Sequence, residues 1–298
     1  MTCIPDKPKV ANQTPPSVRE MVIIAAGLTV VCLVAAMILG GLYFVTQPAK
    51  EHNLHMREET MIRGLLGLTP QARIQEVRRY LTGEGKDMQV IYLTGKRLAQ
   101  LELDGKEVAV LDVPGDIAAA SAGEVKDEWV KKQVKAANPE HIKYAGRFFV
   151  GIEGSQPAGY VVEGVTLGFK TWVRFFMAID SAFTVQGVEI IEHEEDPGLG
   201  AEIVQRYFKN QFAGRSFDDI EKISVTKDPM PKEWQLALEQ LGDMPFRPWL
   251  EKYKEMLPKN PNIYAITGST ISSTAVTVGV KAALGNFRKR MNIVGKYL

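Results

Sequence analysis

The first long feature of the hydrophobic pattern is a continuous apolar run near the start of the chain. Residues 21–49 carry no charged side chain, and their centre reads MVIIAAGLTVVCLVAAMILGGLYFV. At a rise of about 1.5 Å per residue, roughly 20 apolar residues cross the hydrocarbon core of a bilayer. The run therefore predicts a transmembrane helix over residues 21–46, preceded by a short tail of residues 1–20. A buried helix of a soluble protein and a cleaved signal peptide are the alternatives, and the bulky residues after the run disfavour cleavage.

The charges that flank this run give the orientation of the predicted helix. The tail carries three basic and two acidic residues, whereas the two signs balance in the segment just after the run. Because cytoplasmic flanks carry the excess of Lys and Arg, this small difference predicts a cytoplasmic tail and a large body outside the cytoplasm.

A helical pattern follows the apolar run. Residues 69–81 place a threonine cap and a proline before apolar residues at helical spacing, which is typical of a helix start. This predicted helix has Thr69 at the cap, Pro70 in the first turn, and Ile74, Val77 and Leu81 on one face.

Two blocks of strands come next, separated by a connection. The first block alternates or is rich in β-branched residues over 88–93, 97–103 and 107–113, which predicts a meander of antiparallel strands. Residues 114–145 are rich in Ala, Lys and Glu and predict a helix-bearing connection. The second block predicts four strands within residues 147–193, each bounded by Gly, Asp or Ser.

The last third of the chain has a helical pattern. Helices are predicted over 201–215, 232–241 and 247–257, followed by a final helix toward the C-terminus. The predicted fold class is α+β: one N-terminal transmembrane helix, then an extracytoplasmic body with a mainly antiparallel sheet and flanking helices. We divide this body into a membrane-proximal α/β segment, residues 47–145, and a C-terminal domain, residues 146–298.

Composition and charge exclude several classes of protein. The chain has 298 residues, of which 45% are apolar, and a formal net charge of +1. A nucleic-acid-binding protein needs a basic surface, so no nucleic-acid partner is expected. The two cysteines, Cys3 and Cys32, are too few for a four-thiolate metal site and are not expected to pair. Neither of the two commonest glycine-rich nucleotide-binding loops is supported by the sequence.

The stretch HEEDPGLG is the first candidate site. Four residues of metal-ligand type stand in a row, but neighbouring side chains of an extended segment point to opposite faces, which favours a structural role over a metal site. The glycines that follow, Gly198 and Gly200, allow the backbone to approach a ligand closely ahead of helix N–H groups, with a plain turn as the alternative. The four residues in the row are His193, Glu194, Glu195 and Asp196.

The stretch TGSTISSTAV, at the start of the final helix, is the second candidate site. One Ser or Thr is enough to cap a helix end, at about 1 kcal/mol. The surplus of hydroxyls indicates a ligand with many acceptor oxygens, above all a phosphate, with simple capping as the alternative. The hydroxyl residues are Thr267, Ser269, Thr270, Ser272, Ser273 and Thr274, and Val276, Val280 and Leu284 form the apolar face of the helix.

The two candidate sites together resemble one protein family. TGSTISSTAV is similar to the S/T-G-A-T-x-T/S-S motif of the FMN-binding domain in the G subunit of the Rnf electron-transport complex and in the C subunit of the sodium-translocating NADH:quinone reductase. HEEDPGLG resembles the family's H-x-E-T-P-G-L-G segment, with Asp196 in place of the Thr. A single N-terminal anchor before an extracytoplasmic domain is also the family's layout.

The resemblance implies a covalently bound flavin. The family's threonine at the position of Thr270 is esterified to the FMN phosphate, so residues 146–298 are expected to be an FMN-binding domain. Ser272 and Ser273 are then expected to donate hydrogen bonds to the phosphate, and Gly268 to allow its close approach. The remaining residues of the predicted site are Thr267, Ser269 and the turn Gly198, Leu199 and Gly200, with Leu199 in apolar contact with the flavin ring.

The resemblance also implies partners. A free threonine hydroxyl is a poor nucleophile and no adjacent residue is an obvious base, so attachment is expected to need a separate flavin transferase of the ApbE type. The chain would relay electrons between other subunits of a Rnf-type complex in the bacterial cytoplasmic membrane, without a metal or a complete active site of its own. The alternatives are the C subunit of the quinone reductase and a membrane-anchored scaffold or binding module without a cofactor.

Overall fold

The computed structural model divides the chain into two compact units. It describes residues 17–120, 122–134 and 141–298. One unit extends to Met56, and the other comprises Arg57–Leu298. Cys3, most of the predicted tail and part of the predicted connection over 114–145 lie outside the described residues.

Helix α1, Val18–Leu66, contains the predicted membrane-spanning run. Its segment Met21–Gln47 is long and apolar enough to cross a membrane, and the protein buries none of its most apolar window. The helix continues well beyond the predicted end at residue 46. Near its C-terminus, an ion pair of Arg63 with Glu59 at 2.8 Å, one helical turn apart, stabilises the continuation.

Eight strands form one sheet in the order β4-β3-β2-β1-β5-β6-β7-β8. Every neighbouring pair is antiparallel, which confirms the predicted meander and the predicted second block of strands. Together with the flanking helices, this sheet confirms the α+β fold class. The strands are β1 Arg73–Thr82, β2 Gln89–Leu93, β3 Arg97–Glu102, β4 Glu107–Asp112, β5 Lys143–Glu153, β6 Gln156–Leu167, β7 Trp172–Ile179 and β8 Val185–Glu192.

The predicted helix over residues 69–81 is wrong, because most of this segment is strand β1. The strand lies between β2 and β5 and pairs with both, and pairing on two sides outweighs a helical spacing of apolar residues. Charged residues on one face of β1 conceal its alternation in the sequence. Glu76 is one of them, and its carboxylate lies 2.7 Å from the Lys126 ammonium of helix α3, Gly123–Gln133.

The predicted boundary between residues 145 and 146 does not divide the fold. Strand β1 comes from the first predicted segment and β5 largely from the second, yet the two strands pair, with Val77 opposite Phe148. Because one sheet runs through both segments, Arg57–Leu298 forms a single compact unit.

The remaining elements are short, except for the final helix. The predicted helix over 201–215 is broken into a 3-10 turn Gly200–Val204, helix α4 and a second 3-10 turn Asn210–Phe212. The buried Asn210 side chain donates to the Leu238 carbonyl at 2.8 Å, a contact with a distant segment at the residue where helix α4 ends. The other elements are α2 Gly115–Ala119, α4 Arg206–Lys209, α5 Phe217–Lys222, β9 Val225–Thr226, α6 Lys232–Glu239, α7 Phe246–Tyr253, β10 Ile263–Tyr264 and α8 Thr270–Val294.

The sheet is covered on both faces. Phe148 belongs to the main core under α8, whereas its neighbour Phe149 belongs to a second core that contains Ile62 of α1. This alternation follows from the pleat, because successive side chains of a strand point to opposite faces. Helix α8 therefore has a packed sheet beneath it, and its predicted apolar face is fully buried through Val276, Val280 and Leu284.

Candidate functional site

The stretch TGSTISSTAV forms the turn into α8 and the first turns of that helix. Gly268 has a φ of 78°, a conformation that favours glycine. The helix begins at Thr270, directly after Ser269 at the cap position. Within the described residues, nothing accepts a hydrogen bond from the N–H groups of Thr270, Ile271 or Ser272. The helix start therefore presents three free backbone donors and the positive end of the helix dipole.

Two serine hydroxyls of this stretch are buried, and each donates its proton to an acceptor within the protein. Ser272 Oγ donates to Glu195 Oε2 at 2.5 Å. Ser273 Oγ donates to the Ser269 carbonyl at 2.9 Å and accepts from the Ile266 N–H at 3.0 Å. A hydroxyl has one proton to donate. The prediction that Ser272 and Ser273 donate to a bound phosphate therefore does not fit the structure, in which both brace the helix start.

Three threonine hydroxyls of the stretch have no such role. Thr267 and Thr274 are exposed and Thr270 is half-buried, and none of the three hydroxyls has a hydrogen-bond partner in the part of the chain that the structure describes. The Ser269 hydroxyl does not cap α8, although Ser269 holds the cap position. Capping by its hydroxyls consequently does not account for this stretch.

Glu195 holds three segments together behind the helix start. Its side chain is 5% exposed. Besides the Ser272 hydroxyl, its carboxylate accepts the N–H groups of Phe169 at 2.8 Å and Lys170 at 3.1 Å, in the loop between β6 and β7. This loop is also tied by an ion pair of Lys170 with Asp196. Glu195 therefore joins the β6–β7 loop, the glycine turn and α8 through one buried group.

The glycine turn lies against the hydroxyl-rich stretch. A side chain at Gly268 would come within 3.0 Å of Leu199 Cδ2. At Gly200 a Cβ atom would lie 2.4 Å from Glu195 Oε2, so only glycine fits between the two segments. Gly198 has a φ of 73° and open space around it. The structure thus brings the two predicted stretches together, as the prediction of a shared site requires.

A cleft of about 730 Å³ opens beside Thr270. Four of the predicted residues line this cleft: Gly198, Thr267, Gly268 and Thr270. The three predicted serines, Ser269, Ser272 and Ser273, are buried. Leu199 is 47% exposed. Sequence reasoning missed the far wall, which includes Glu202, Tyr207, Lys227, Asp228 and Tyr264.

The far wall brings polar side chains toward the cleft. Lys227 is exposed and has no ion-pair partner among the described residues. Burial, followed by the nearby Glu202 carboxylate, raises the pKa of the Tyr207 hydroxyl. The segments of the far wall lie after the glycine turn and around β9 and β10, and none of them carries a recognisable motif.

The residues of the cleft fit a phosphate-bearing flavin. A phosphate needs donors, and the free N–H groups at the start of α8 supply them beside the free Thr270 hydroxyl. Gly268 adds no side chain to this approach, and Lys227 supplies a positive charge. The size of the cleft is within the range of cofactor pockets, about 300–1,000 Å³.

Comparison with known proteins identifies the domain that carries this site. Residues 168–285 match the family model of the FMN-binding domain, and this range includes the glycine turn, the hydroxyl-rich stretch and all the residues named above on the far wall. The chain therefore contains an FMN-binding domain, as the sequence resemblance predicted.

Curated relatives of the chain are G subunits of ion-translocating oxidoreductase complexes. It is 25% identical, over 58% of its length and 77% of the relative, to the G subunit of the proton-translocating ferredoxin:NAD(+) oxidoreductase complex of Clostridium ljungdahlii. It is 27% identical, over 59% of its length and 69% of the relative, to the G subunit of the Na(+)-translocating complex of Acetobacterium woodii. The crystal structure of Shewanella oneidensis NqrC aligns with 74% of this chain and 85% of that chain, at 15% identity and a TM-score of 0.40. The chain is therefore similar to the G subunits of ion-translocating ferredoxin:NAD(+) oxidoreductase complexes.

Proposed function

We propose that this chain is the membrane-anchored flavoprotein subunit of a Rnf-type complex and carries FMN as a phosphoester on Thr270. The observation that supports this proposal most directly is the free Thr270 hydroxyl beside three free N–H groups, inside a matched FMN-binding domain. The G-subunit relatives and the membrane-spanning length of Met21–Gln47 support the same assignment.

Thr270 is the best placed of the hydroxyl residues for the linkage. Ser272 and Ser273 are buried and use their protons inside the protein. Ser269 is also buried. Thr267 is exposed, but it precedes the turn at Gly268 and lies outside the helix. Only Thr270 combines a hydroxyl at the cleft with a position in the first turn of α8.

The surrounding residues would bind and orient the cofactor. The phosphodiester keeps one negative charge, which the free N–H groups of α8 and the helix dipole stabilise. Lys227 adds a second positive group at the cleft. Leu199, half-exposed beside Gly268, offers an apolar contact for the flavin ring. When bound, the flavin supplies the one- and two-electron chemistry, while the protein fixes its position and potential.

Attachment would need a separate enzyme. A threonine hydroxyl requires an adjacent base to become a nucleophile. The nearby carboxylate of Glu195 is buried and already accepts three hydrogen bonds, and no described residue accepts the Thr270 proton. A flavin transferase of the ApbE type is therefore the proposed maturation partner, which would break the pyrophosphate bond of FAD, transfer the FMN group to the threonine oxygen and release AMP.

The complex and the topology complete the proposal. The G-subunit relatives come from ferredoxin:NAD(+) oxidoreductase complexes, which favours Rnf-type partner subunits over NADH:quinone reductase partners. Because flavin transfer in this family type takes place outside the cytoplasm, Arg57–Leu298 is proposed to lie on the extracytoplasmic side.

The proposed class is tested by flavin that survives denaturation. The chain is coexpressed with a flavin transferase, separated on a denaturing gel and examined for flavin fluorescence. A fluorescent band at the position of the chain is expected. Absence of fluorescence, with the transferase shown to be active on a known substrate, would favour the cofactor-free scaffold.

A further inference from the structure

Strand β4, Glu107–Asp112, forms an open edge of the eight-stranded sheet. It pairs with β3 on one side, and its other side pairs with no strand in the part of the chain that the structure describes. An open edge presents a row of unpaired N–H and C=O groups that can accept a further strand. Natural proteins protect such an edge with devices that include Lys, Pro and β-bulges, and of these β4 has a one-residue register shift against β3 but neither Lys nor Pro.

The side chains of β4 are apolar and exposed on both faces. Val108 and Val110 are 45% and 37% exposed on one face, and Leu111 is 37% exposed on the other. Leu103, just before the strand, is 53% exposed. An added strand would cover these side chains while its backbone satisfies the open edge, which is how extended peptides bind to sheet edges.

The charges around β4 determine which strand fits. Residues 102–116 contain five acidic residues and one lysine. Acidic side chains occupy both ends of β4, Glu107 and Asp112. Arg97 of β3 lies opposite Asp112, and Lys296 lies 2.9 Å from Glu107, so with these two the acidic residues still outnumber the basic ones by five to three. A complementary strand therefore carries Lys or Arg at both ends.

The same charges disfavour a second copy of this chain. Symmetric antiparallel pairing of two β4 strands would place Glu107 of each copy opposite Asp112 of the other. Like charges directly opposite each other on paired strands are destabilising.

The β4 edge is far from the cleft. The C-terminal end of α8 lies near β4, where Lys296 follows the helix and the Ile293 side chain would contact a Cβ atom at Gly105, at 3.4 Å. Thr270 is at the other end of this 25-residue helix, about 37 Å away at about 1.5 Å per residue. A partner on β4 would leave the cleft open. The strand also lies outside residues 168–285, the range of the FMN-binding domain match.

We infer that β4 is a docking edge for an extended segment of a partner protein, which adds a ninth strand through alternating apolar residues flanked by Lys or Arg. This inference does not depend on the proposed flavin, and its test uses the chain without cofactor.

The test uses the full chain in detergent and two capped peptides. One peptide is Lys-Arg-Val-Thr-Ile-Thr-Val-Arg-Lys, and the other has Glu and Asp in place of its basic residues. Binding is measured by fluorescence anisotropy, and amide hydrogen exchange locates the bound peptide. We expect the basic peptide to bind at least tenfold more tightly than the acidic one and to slow exchange of the β4 amides.

Two variants distinguish binding at the β4 edge from nonspecific binding of the peptide. Val110→Lys places a charge on the edge and is expected to weaken binding of the basic peptide at least tenfold, with an unchanged melting temperature. Leu236→Lys replaces an apolar residue of α6 that is 60% exposed, against 37% for Val110, and is expected to leave binding unchanged. Equal affinity for the two peptides, or no protection of the β4 amides, would overturn the inference. Self-association of the chain that Val110→Lys abolishes would assign the edge to a second copy instead.

Discussion

The contact between Gly200 and Glu195 makes a quantitative prediction about how the site is held together. Replacement of Glu195 by Ala leaves two N–H groups and the Ser272 hydroxyl without their acceptor. Each unsatisfied buried group costs about 1–3 kcal/mol, and partial access of water to the loop lowers the total, so Glu195→Ala should reduce the free energy of unfolding by about 2–4 kcal/mol.

Gly200→Ala should be destabilising for a different reason, but through the same atoms. Its new Cβ would lie 2.4 Å from Glu195 Oε2 and 2.9 Å from both Glu195 Cβ and Ser272 Oγ, and such overpacking costs about 1–3 kcal/mol. When Glu195 is already alanine, the nearest of these atoms is absent. The loss of free energy of unfolding in the double variant should therefore be smaller than the sum of the two single losses by at least about 1 kcal/mol. This coupling is within the range for residues in contact.

Urea unfolding of the purified chain, followed by circular dichroism, measures this coupling. Gly198→Ala is the matched control, because no atom lies within 4 Å of that position and its cost is backbone strain at a φ of 73°. The changes in the free energy of unfolding caused by Gly198→Ala and by Glu195→Ala should therefore add in the double variant. Additivity of Gly200→Ala with Glu195→Ala, within about 0.5 kcal/mol, would refute the role of Glu195 as the brace between the turn and α8.

Three further predictions concern the turn, the topology and acid stability. Gly268→Val should lower flavin loading in a folded protein, because Gly268 has a φ of 78° and lies against Leu199. Gly285→Ala is the control and should keep full loading, because that position has open space around it. Equal loading of the two variants on the fluorescent gel would contradict this prediction. Alkaline phosphatase fused after Leu298 should be active and a cytoplasmic reporter inactive, and the reverse would exclude the proposed orientation. Burial raises the pKa of Glu76, but Lys126 and two arginines lower it below its ordinary 4.5. The free energy of unfolding should therefore fall as pH drops below about 4.5. Glu76→Gln should flatten this pH dependence, measured by urea unfolding.

Elements with a regular pattern were predictable from the sequence. The apolar run predicts the first part of α1, alternation predicts β2 to β4 and β5 to β8, and the hydroxyl-rich stretch predicts that a final helix begins there. Strand β1 was not predictable in this way, because its alternation includes charged residues such as Glu76 whose ion pairs come from distant elements. Local pattern does not reveal a partner that only the fold brings close.

The candidate site was likewise only partly predictable from the sequence. The two motif stretches predicted that the glycine turn and the start of α8 share a site, but the hydrogen bond of Glu195 with Ser272, which joins them, spans 77 residues of sequence. The far wall, with Lys227, carries no motif and is assembled by the fold. Sequence reasoning also assigned the Ser272 and Ser273 hydroxyls to a phosphate, because hydroxyls in a sequence do not show which direction they face.

The central claim is that Thr270 carries the flavin, and mass spectrometry of the chain after coexpression with a flavin transferase tests it most directly. The unmutated chain should gain the mass of one FMN less one water, and peptide mapping should place it on Thr270. Thr270→Ala should lose the adduct and remain folded, since one hydroxyl without a protein partner contributes little to a stability of about 5–15 kcal/mol. Ser273→Ala, which changes a buried hydroxyl of the same helix, should keep it. An adduct that persists in Thr270→Ala at another residue, or an unmutated chain without any adduct, would contradict the account.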